Sequence, residues 1–362
     1  MSTFGKAIEI NLFGESHGDA IGIVINNLPA GIKLDLKLID DVLTKRRPKT
    51  ALSTSRREPD KYEIISGYFN GYTTGSPLTF IIKNKDVRSA DYIPNILRPS
   101  HADYTAHVKH NDFQDYRGGG HFSGRITAPL MILGAICSQI LTNKGIIIGS
   151  HIASIKDELD QSFKVITPSI DLLKSLNSSQ FPLLDNAKKN VFEGLILNAK
   201  ENNDSVGGTV ETMVIGLSAG FGNPFFESIE SVISHLIFSI PGVKGLEFGS
   251  GFEITELNGS EANDAFYLDN GKIKTKSNHS GGIQGGISNG MPIIFKTAIK
   301  PTASIAKAQK TVDIDKMAET TLNLKGRHDP SIVHRALHVI NAITNYAILE
   351  VILRDEGLKW IK

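Results

Sequence analysis

The sequence predicts a mixed helix-and-sheet fold in which one sheet-and-helix unit occurs twice. Three observations carry this. Short apolar runs of strand length recur at 21–26, 62–65, 78–82, 209–215 and 292–298. Two longer segments, 126–141 and 331–353, are apolar over helix-length stretches. Finally, a strand, the turn Leu28-Pro29-Ala30-Gly31 and a helix are echoed by a strand over 209–216, the turn Leu217-Ser218-Ala219-Gly220 and a helix over 227–238. Such an echo implies a duplicated unit rather than two unrelated domains.

The elements follow in order. After the strand at 21–26, Asp35 is placed to cap a helix that carries Leu38, Ile39, Val42 and Leu43 on one face. Pro48, after Lys45-Arg46-Arg47, stops it. Strands at 62–65 and 78–82 come next. The helix at 126–141 follows a triple-glycine loop directly. In the second half, Ile229, Val232, Ile233 and Leu236 share one helix face. Asp329-Pro330 reads as N-cap and first position of the last helix, with Ile332, Ala336, Val339, Ile340, Ile343, Ala347 and Ile348 at helical spacing. The stretch 150–190 carries no functional signal.

The totals narrow the function. Of 362 residues, 40% are hydrophobic and 21% charged, and the net charge is +1, which argues against a nucleic-acid protein. Cys137 is the one cysteine, so neither an internal disulfide nor a thiolate zinc site can form, and a reducing compartment is expected. Its apolar neighbours predict a buried, inert thiol. The N-terminus lacks a signal-peptide pattern, and no apolar stretch approaches the ~20 residues that span a bilayer, so a cytoplasmic location is expected.

Chemistry concentrates in three glycine-flanked histidine regions. They are Gly14-Glu15-Ser16-His17-Gly18; Arg98-Pro99-Ser100-His101-Ala102-Asp103 with Arg117-Gly118-Gly119-Gly120-His121-Phe122-Ser123-Gly124-Arg125; and Gly326-Arg327-His328-Asp329-Pro330. Glycine lets backbone N–H groups approach a ligand, arginine matches anionic oxygens, and histidine moves a proton near neutral pH. Together they point to an enzyme that handles a multiply anionic substrate and transfers protons. The Arg117–Arg125 loop precedes a helix and suits an anion. Arg46, Arg47, Arg56 and Arg57 read by default as a solvated helix end, or more sharply as a phosphate site. Dinucleotide, P-loop, nucleophile-elbow and H-E-x-x-H fingerprints are absent. His101, His107 and His110 near Asp103, Asp112 and Asp115 suggest a rival, a metal-dependent phosphohydrolase, but their spacing matches no familiar metal site. His107 and His110 are expected to face solvent. A second rival is a non-catalytic flavin or nucleotide module built on the glycine loops alone.

Over nearly its whole length the chain resembles the chorismate synthases. The matching motifs include Phe13-Gly-Glu-Ser-His-Gly18, Arg46-Arg-Pro48, Arg57-Glu-Pro-Asp60, Ser66-Gly67 with Thr73-Thr-Gly75, Arg98-Pro-Ser-His-Ala-Asp103, Tyr116-Arg-Gly-Gly-Gly120 and Val243-Lys-Gly245. The run Asn278 to Gly290, Lys300-Pro-Thr-Ala-Ser304 and Gly326-Arg-His-Asp-Pro330 complete the set.

The resemblance implies an α+β, β-α-β sandwich-like fold forming a single domain over 1–362, usually in a homotetramer. It implies a lyase that converts 5-enolpyruvylshikimate 3-phosphate to chorismate by 1,4-anti elimination, with reduced FMN and no net redox change. His17 would protonate the departing phosphate, and His101 would hold the flavin in the right protonation state. Asp329 would help take the proton from flavin N5, while Ser16 and Ser123 order the relay. Arg46, Arg47, Arg98, Arg125 and Arg327 would bind substrate anions. His121, Phe122, Ser123, Gly285, Lys300, Pro301, Thr302, Ala303, Ser304 and Arg327 would line the flavin. No added reductase segment is visible, so an external flavin reductase is expected, with NADPH an indirect reductant. The sequence departs from the commonest family pattern at Leu52, Ser100, His121, Gly124, Ile126 and Pro241-Gly242.

Overall fold

The computed structural model describes residues 2–47, 52–53, 58–85, 92–324 and 328–361. Two five-stranded antiparallel sheets enclose a layer of helices, and the same strand order appears in each. The first half runs β1 (Ile10–Gly14), β2 (Ala20–Ile25), α1 (Leu36–Arg46), β3 (Tyr62–Ser66), β4 (Leu78–Lys83), the short helix α2 (Asp103–His110) and α3 (Thr127–Asn143). The second runs β5 (Ile147–Ile155), β6 (Gly208–Ile215), α4 (Ile229–Ile237), β7 (Val243–Phe248), β8 (Ile293–Ile299) and α5 (Val333–Glu356). The spatial orders β1-β2-β4-β3 and β5-β6-β8-β7 match position for position, with a two-residue strand added at one edge of each sheet. The expected duplication is therefore present in the topology, as β-β-α-β-β-α twice, with two further helices, Ile170–Ser178 and Lys189–Glu201, inserted between β5 and β6.

The local reasons are plain. Asp35 accepts the Leu38 N–H at 2.9 Å and caps α1, whose Ile39 and Leu43 are buried one turn apart. Lys45 and Arg46 fill its last turn, where cations suit the dipole. The long helices α3 and α5 pack on one another, with α3 against β2 and β4 and α5 against β5 and β6. Gly134 permits this approach: a Cβ there would lie 2.3 Å from the Ala342 Cβ. Both sheets and this helix layer share one apolar core.

Two expectations need correction. The segments Gly124–Asn143 and Val333–Glu356 are long and apolar enough, by length and composition, to cross a bilayer. They are 78% and 94% buried inside the protein, because helices enclosed by two sheets are apolar all round. Asp329 is not the N-cap of α5. The helix begins at Val333 with Ile332 in the cap position and no side-chain cap. Cys137 is buried in α3, and burial pushes its thiol well above the usual range.

Candidate active site

The duplicated topology puts the two long crossovers, β4 to α3 and β8 to α5, in equivalent places. They meet. Leu97 N–H donates to Val312 O at 3.2 Å, and Asn95 donates to Asp313 at 3.0 Å. Lys300 Nζ donates to Ser100 O at 2.8 Å, and His101 Nε2 lies 2.8 Å from Ser304 Oγ. Ser100 has φ +60°, a region glycine favours. The His101 pKa is lowered by burial first and then by Arg98, with Lys300 adding to the shift. The ring is therefore neutral at neutral pH and acts as a hydrogen-bond partner rather than a cation.

The β1–β2 loop inserts against the glycine loop. Ser16 N–H donates to Gly120 O at 3.0 Å, Gly119 N–H donates to Ser16 Oγ at 3.3 Å, and Ser16 Oγ lies 3.2 Å from His17 Nδ1. Both Ser16 and His17 are buried. Gly118 has φ +66°, and a Cβ on it would stand 2.3 Å from His17 Cε1 and Nδ1. Only a bare backbone lets the loop reach the imidazole. Tyr92 meets the His17 ring edge-on at 5.3 Å between centroids. Arg98 stacks 5.2 Å over Tyr92, grips Asp103 through two nitrogens at 2.9 and 2.7 Å, and donates to Gly118 O at 2.6 Å. Arg98 thus braces the loop that holds His17.

A second cluster lies at the C-terminal end of α1. Arg46 is buried, correcting the solvated-end reading. Its Nε donates to Thr127 at 2.9 Å, its Nη2 to Gly124 O at 2.5 Å, and its Nη1 stands 3.6 Å from Asp60. Burial pushes its pKa down to about 9, leaving it cationic at neutral pH. Arg125, also buried, bonds the other Asp60 oxygen, donates to Asn84 at 3.0 Å, and has Glu58 3.9 Å away. Asn84 in turn donates to Glu15 O and Gly18 O, at 2.9 and 2.8 Å, tying Arg125 to the His17 loop. Ser123 Oγ accepts the Arg125 N–H at 3.2 Å. Arg335, in the first turn of α5, donates to Asp329 at 2.8 Å and to Arg46 O at 3.0 Å.

Most residues expected from the sequence therefore converge: Ser16, His17, Arg98, His101, Ser123, Lys300 and Ser304, and Arg46, Arg125 and Asp329. Arg47 ends α1, with its Nε buried and without a partner among the described residues. The Thr302 hydroxyl is likewise buried without a partner, next to Pro301 and Ala303. His121 is exposed and bonds Gly14 O and Ser2, each at 2.9 Å, and Phe122 is half exposed. Leu52 is buried in the core. Gly285 is not brought to this group within one chain. It turns a hairpin beside Gly222, which bonds Asp355 near the end of α5, about 30 Å along that helix from Arg335. Arg327, like Arg56 and Arg57, lies outside the described residues.

The rival metal cluster disperses. Asp103 serves Arg98, Asp115 serves Arg117, and His107 pairs with Asp112 on the outer face of α2, where His110 is exposed. Among the described residues no group of three His, Cys, Asp or Glu side chains could hold a metal ion. Sequence reading missed Asn84, Tyr92 and Arg335, and it named Asp60 only inside a family motif, with no role. Asp60 and Asn84 join residues far apart in the chain, so no spacing rule gives either its role; for Asp60 the Arg57–Asp60 motif was the one signal.

The chorismate synthase family model matches residues 8–353. Among curated relatives, the chorismate synthase of Dehalococcoides mccartyi is 41% identical over 356 residues, covering 98% of this chain and 97% of its own. That of Thermococcus gammatolerans is 42% identical, covering 98% of each. A crystal structure of a chorismate synthase superposes with a TM-score of 0.76 at 26% identity, over 99% of this chain and 96% of the other. These matches span the loops that build the site, and the chain belongs to the chorismate synthase family, the enzymes that form chorismate as lyases of the shikimate pathway.

Proposed function

We propose that this enzyme eliminates phosphate from 5-enolpyruvylshikimate 3-phosphate in a 1,4-anti sense, with reduced FMN and no net redox change. The observation that carries this is the convergence of a clamped histidine, His17, with a neutral histidine, His101, and a buried arginine cluster. The residues fit a flavin and a polyanion: Thr302 Oγ1 and Arg47 Nε are buried polar atoms without partners among the described residues. Lys300 to Ser304, with His121, Phe122 and Ser123, would hold the cofactor, with Arg327 and Gly285 further candidates. When bound, reduced FMN supplies the electron density that eases rupture of the allylic C–O bond.

The chain's own residues do the rest. Arg46, Arg47 and Arg125, with Arg327, bind the phosphate and carboxylates, while Arg98 holds the loop behind His17. His17 gives a proton to the departing phosphate oxygen, a step worth ~10²–10⁴-fold in rate. Ser16 orients its ring through Nδ1. His101, tied to Ser304, presents a neutral ring to the cofactor, and Asp329 accepts the proton lost from the substrate. The protein works as a single domain over 1–362, in a homotetramer in the cytoplasm, supplied by an external flavin reductase with NADPH as an indirect reductant.

The test is an anaerobic turnover assay that follows chorismate and phosphate together. Equal release of both, only with reduced FMN, is expected. Phosphate without chorismate, dependent on metal and independent of flavin, would overturn the reading in favour of a hydrolase.

A further inference from the structure

We propose that Arg335 is a positioning residue for the reaction: it fixes the Asp329 carboxylate to the end of α1, so that the proton acceptor and the anion-binding arginines keep one geometry. The inference rests on the reading of Asp329 as a proton acceptor. Asp329 lies outside α5, whose cap residue is Ile332. Arg335 Nη1 donates to the Asp329 Oδ2 at 2.8 Å. The same guanidinium spends its Nε on Arg46 O at 3.0 Å. A planar fork held by two different partners has little rotational freedom.

Arg46 O belongs to the last turn of α1, where carbonyls lack intrahelical partners. The Arg46 side chain meanwhile reaches Asp60, Thr127 and Gly124, and Asp60 bonds Arg125. One connected path therefore runs from Asp329 through Arg335 to the backbone and side chain of Arg46, then to Asp60 and Arg125. Arg335 sits in the first turn of a 24-residue buried helix, a rigid base for a site residue. The pair is separated by six positions, not the three or four that meet on a helix face, so it exists only because residues 329–332 are not helical. A lysine carries the charge but cannot span both partners.

The alternative is that Arg335 merely caps α1. Kinetics separate the two. Arg335→Gln is expected to lower kcat about 10–100-fold, the scale of a ~1 Å misplacement, with substrate KM and FMN affinity within about twofold of the parent. In an Asp329→Asn background the same substitution should change kcat by less than about twofold, since coupled residues are not additive. Arg335→Lys should recover part of kcat, and added guanidinium should rescue Arg335→Ala but not Arg335→Ala with Asp329→Asn. Equal kcat losses in both backgrounds, or a raised KM with unchanged kcat, would overturn the positioning role. An Asp329→Asn enzyme with parental kcat would instead refute the proton-acceptor reading and the proposal with it, while leaving the lyase assay unaffected.

Discussion

Gly118→Ala tests how the glycine loop serves His17. The added Cβ would stand 2.3 Å from His17 Cε1 and Nδ1 and 2.8 Å from Ser16 Oγ. Ordinary contact begins near 3.4 Å, so the imidazole or the loop must move by about 1 Å. A shift of that size at a reacting group costs up to about 100-fold in rate. Alanine at φ +66° adds a conformational cost of about 1–2 kcal/mol, which lowers stability. Gly145→Ala isolates the second effect: Gly145 has φ +79°, and nothing lies within 4 Å of its added Cβ. Both variants should lose similar stability in urea unfolding, with some extra loss at Gly118 from the clash. Only Gly118→Ala should lose turnover in the anaerobic chorismate assay. Equal kcat for the two variants would refute the argument that the loop positions His17.

His17→Ala should retain FMN binding and lose about 10²–10⁴-fold in turnover; unchanged turnover would remove the general-acid role. Asp60→Asn strips the shared carboxylate from Arg46 and Arg125 and should cost about 3–5 kcal/mol in chemical denaturation. A loss under about 1 kcal/mol would mean that Glu58 or water already compensates these guanidinia. Away from the site, fully buried His151 bonds Asp160 and Glu211, each at 3.0 Å. Burial opposes its charge, but the two carboxylates outweigh burial and raise its pKa, while the pKa values of Asp160 and Glu211 are lowered despite burial. His151 then stabilises fully below its unfolded pKa of about 6.5 and loses this as pH rises through its folded value. The carboxylates stabilise above about pH 4 and lose this as pH falls through their folded values. The stability gap between parent and His151→Gln should be widest between about pH 5 and 6.5 and shrink on both sides; a pH-independent gap would show that the ring is neutral.

Local patterning determined much of this protein. The apolar runs at 21–26, 78–82, 209–215 and 292–298 became central strands, and the Asp35 cap with Ile39 and Leu43 became α1. Periodicity works because it records which face of an element leaves water, and that is a property of neighbouring residues. The echo of strand, turn and helix was visible for the same reason, and the motifs that carry the family resemblance are contiguous runs. Residue pairing was decided only by the tertiary structure. Asp329-Pro330 has the local form of a helix cap, yet Asp329 is taken by Arg335 and the helix starts later. Arg46 has the local form of a solvated helix end, yet Asp60, Thr127 and Gly124 close over it. β5, buried along its whole length, carries His151, whose partners stand on another strand and a loop. Charged groups enter a core only where remote segments supply compensating charge and hydrogen bonds. No spacing within a segment records that, because the compensation exists only once stretches distant in the chain pack against one another.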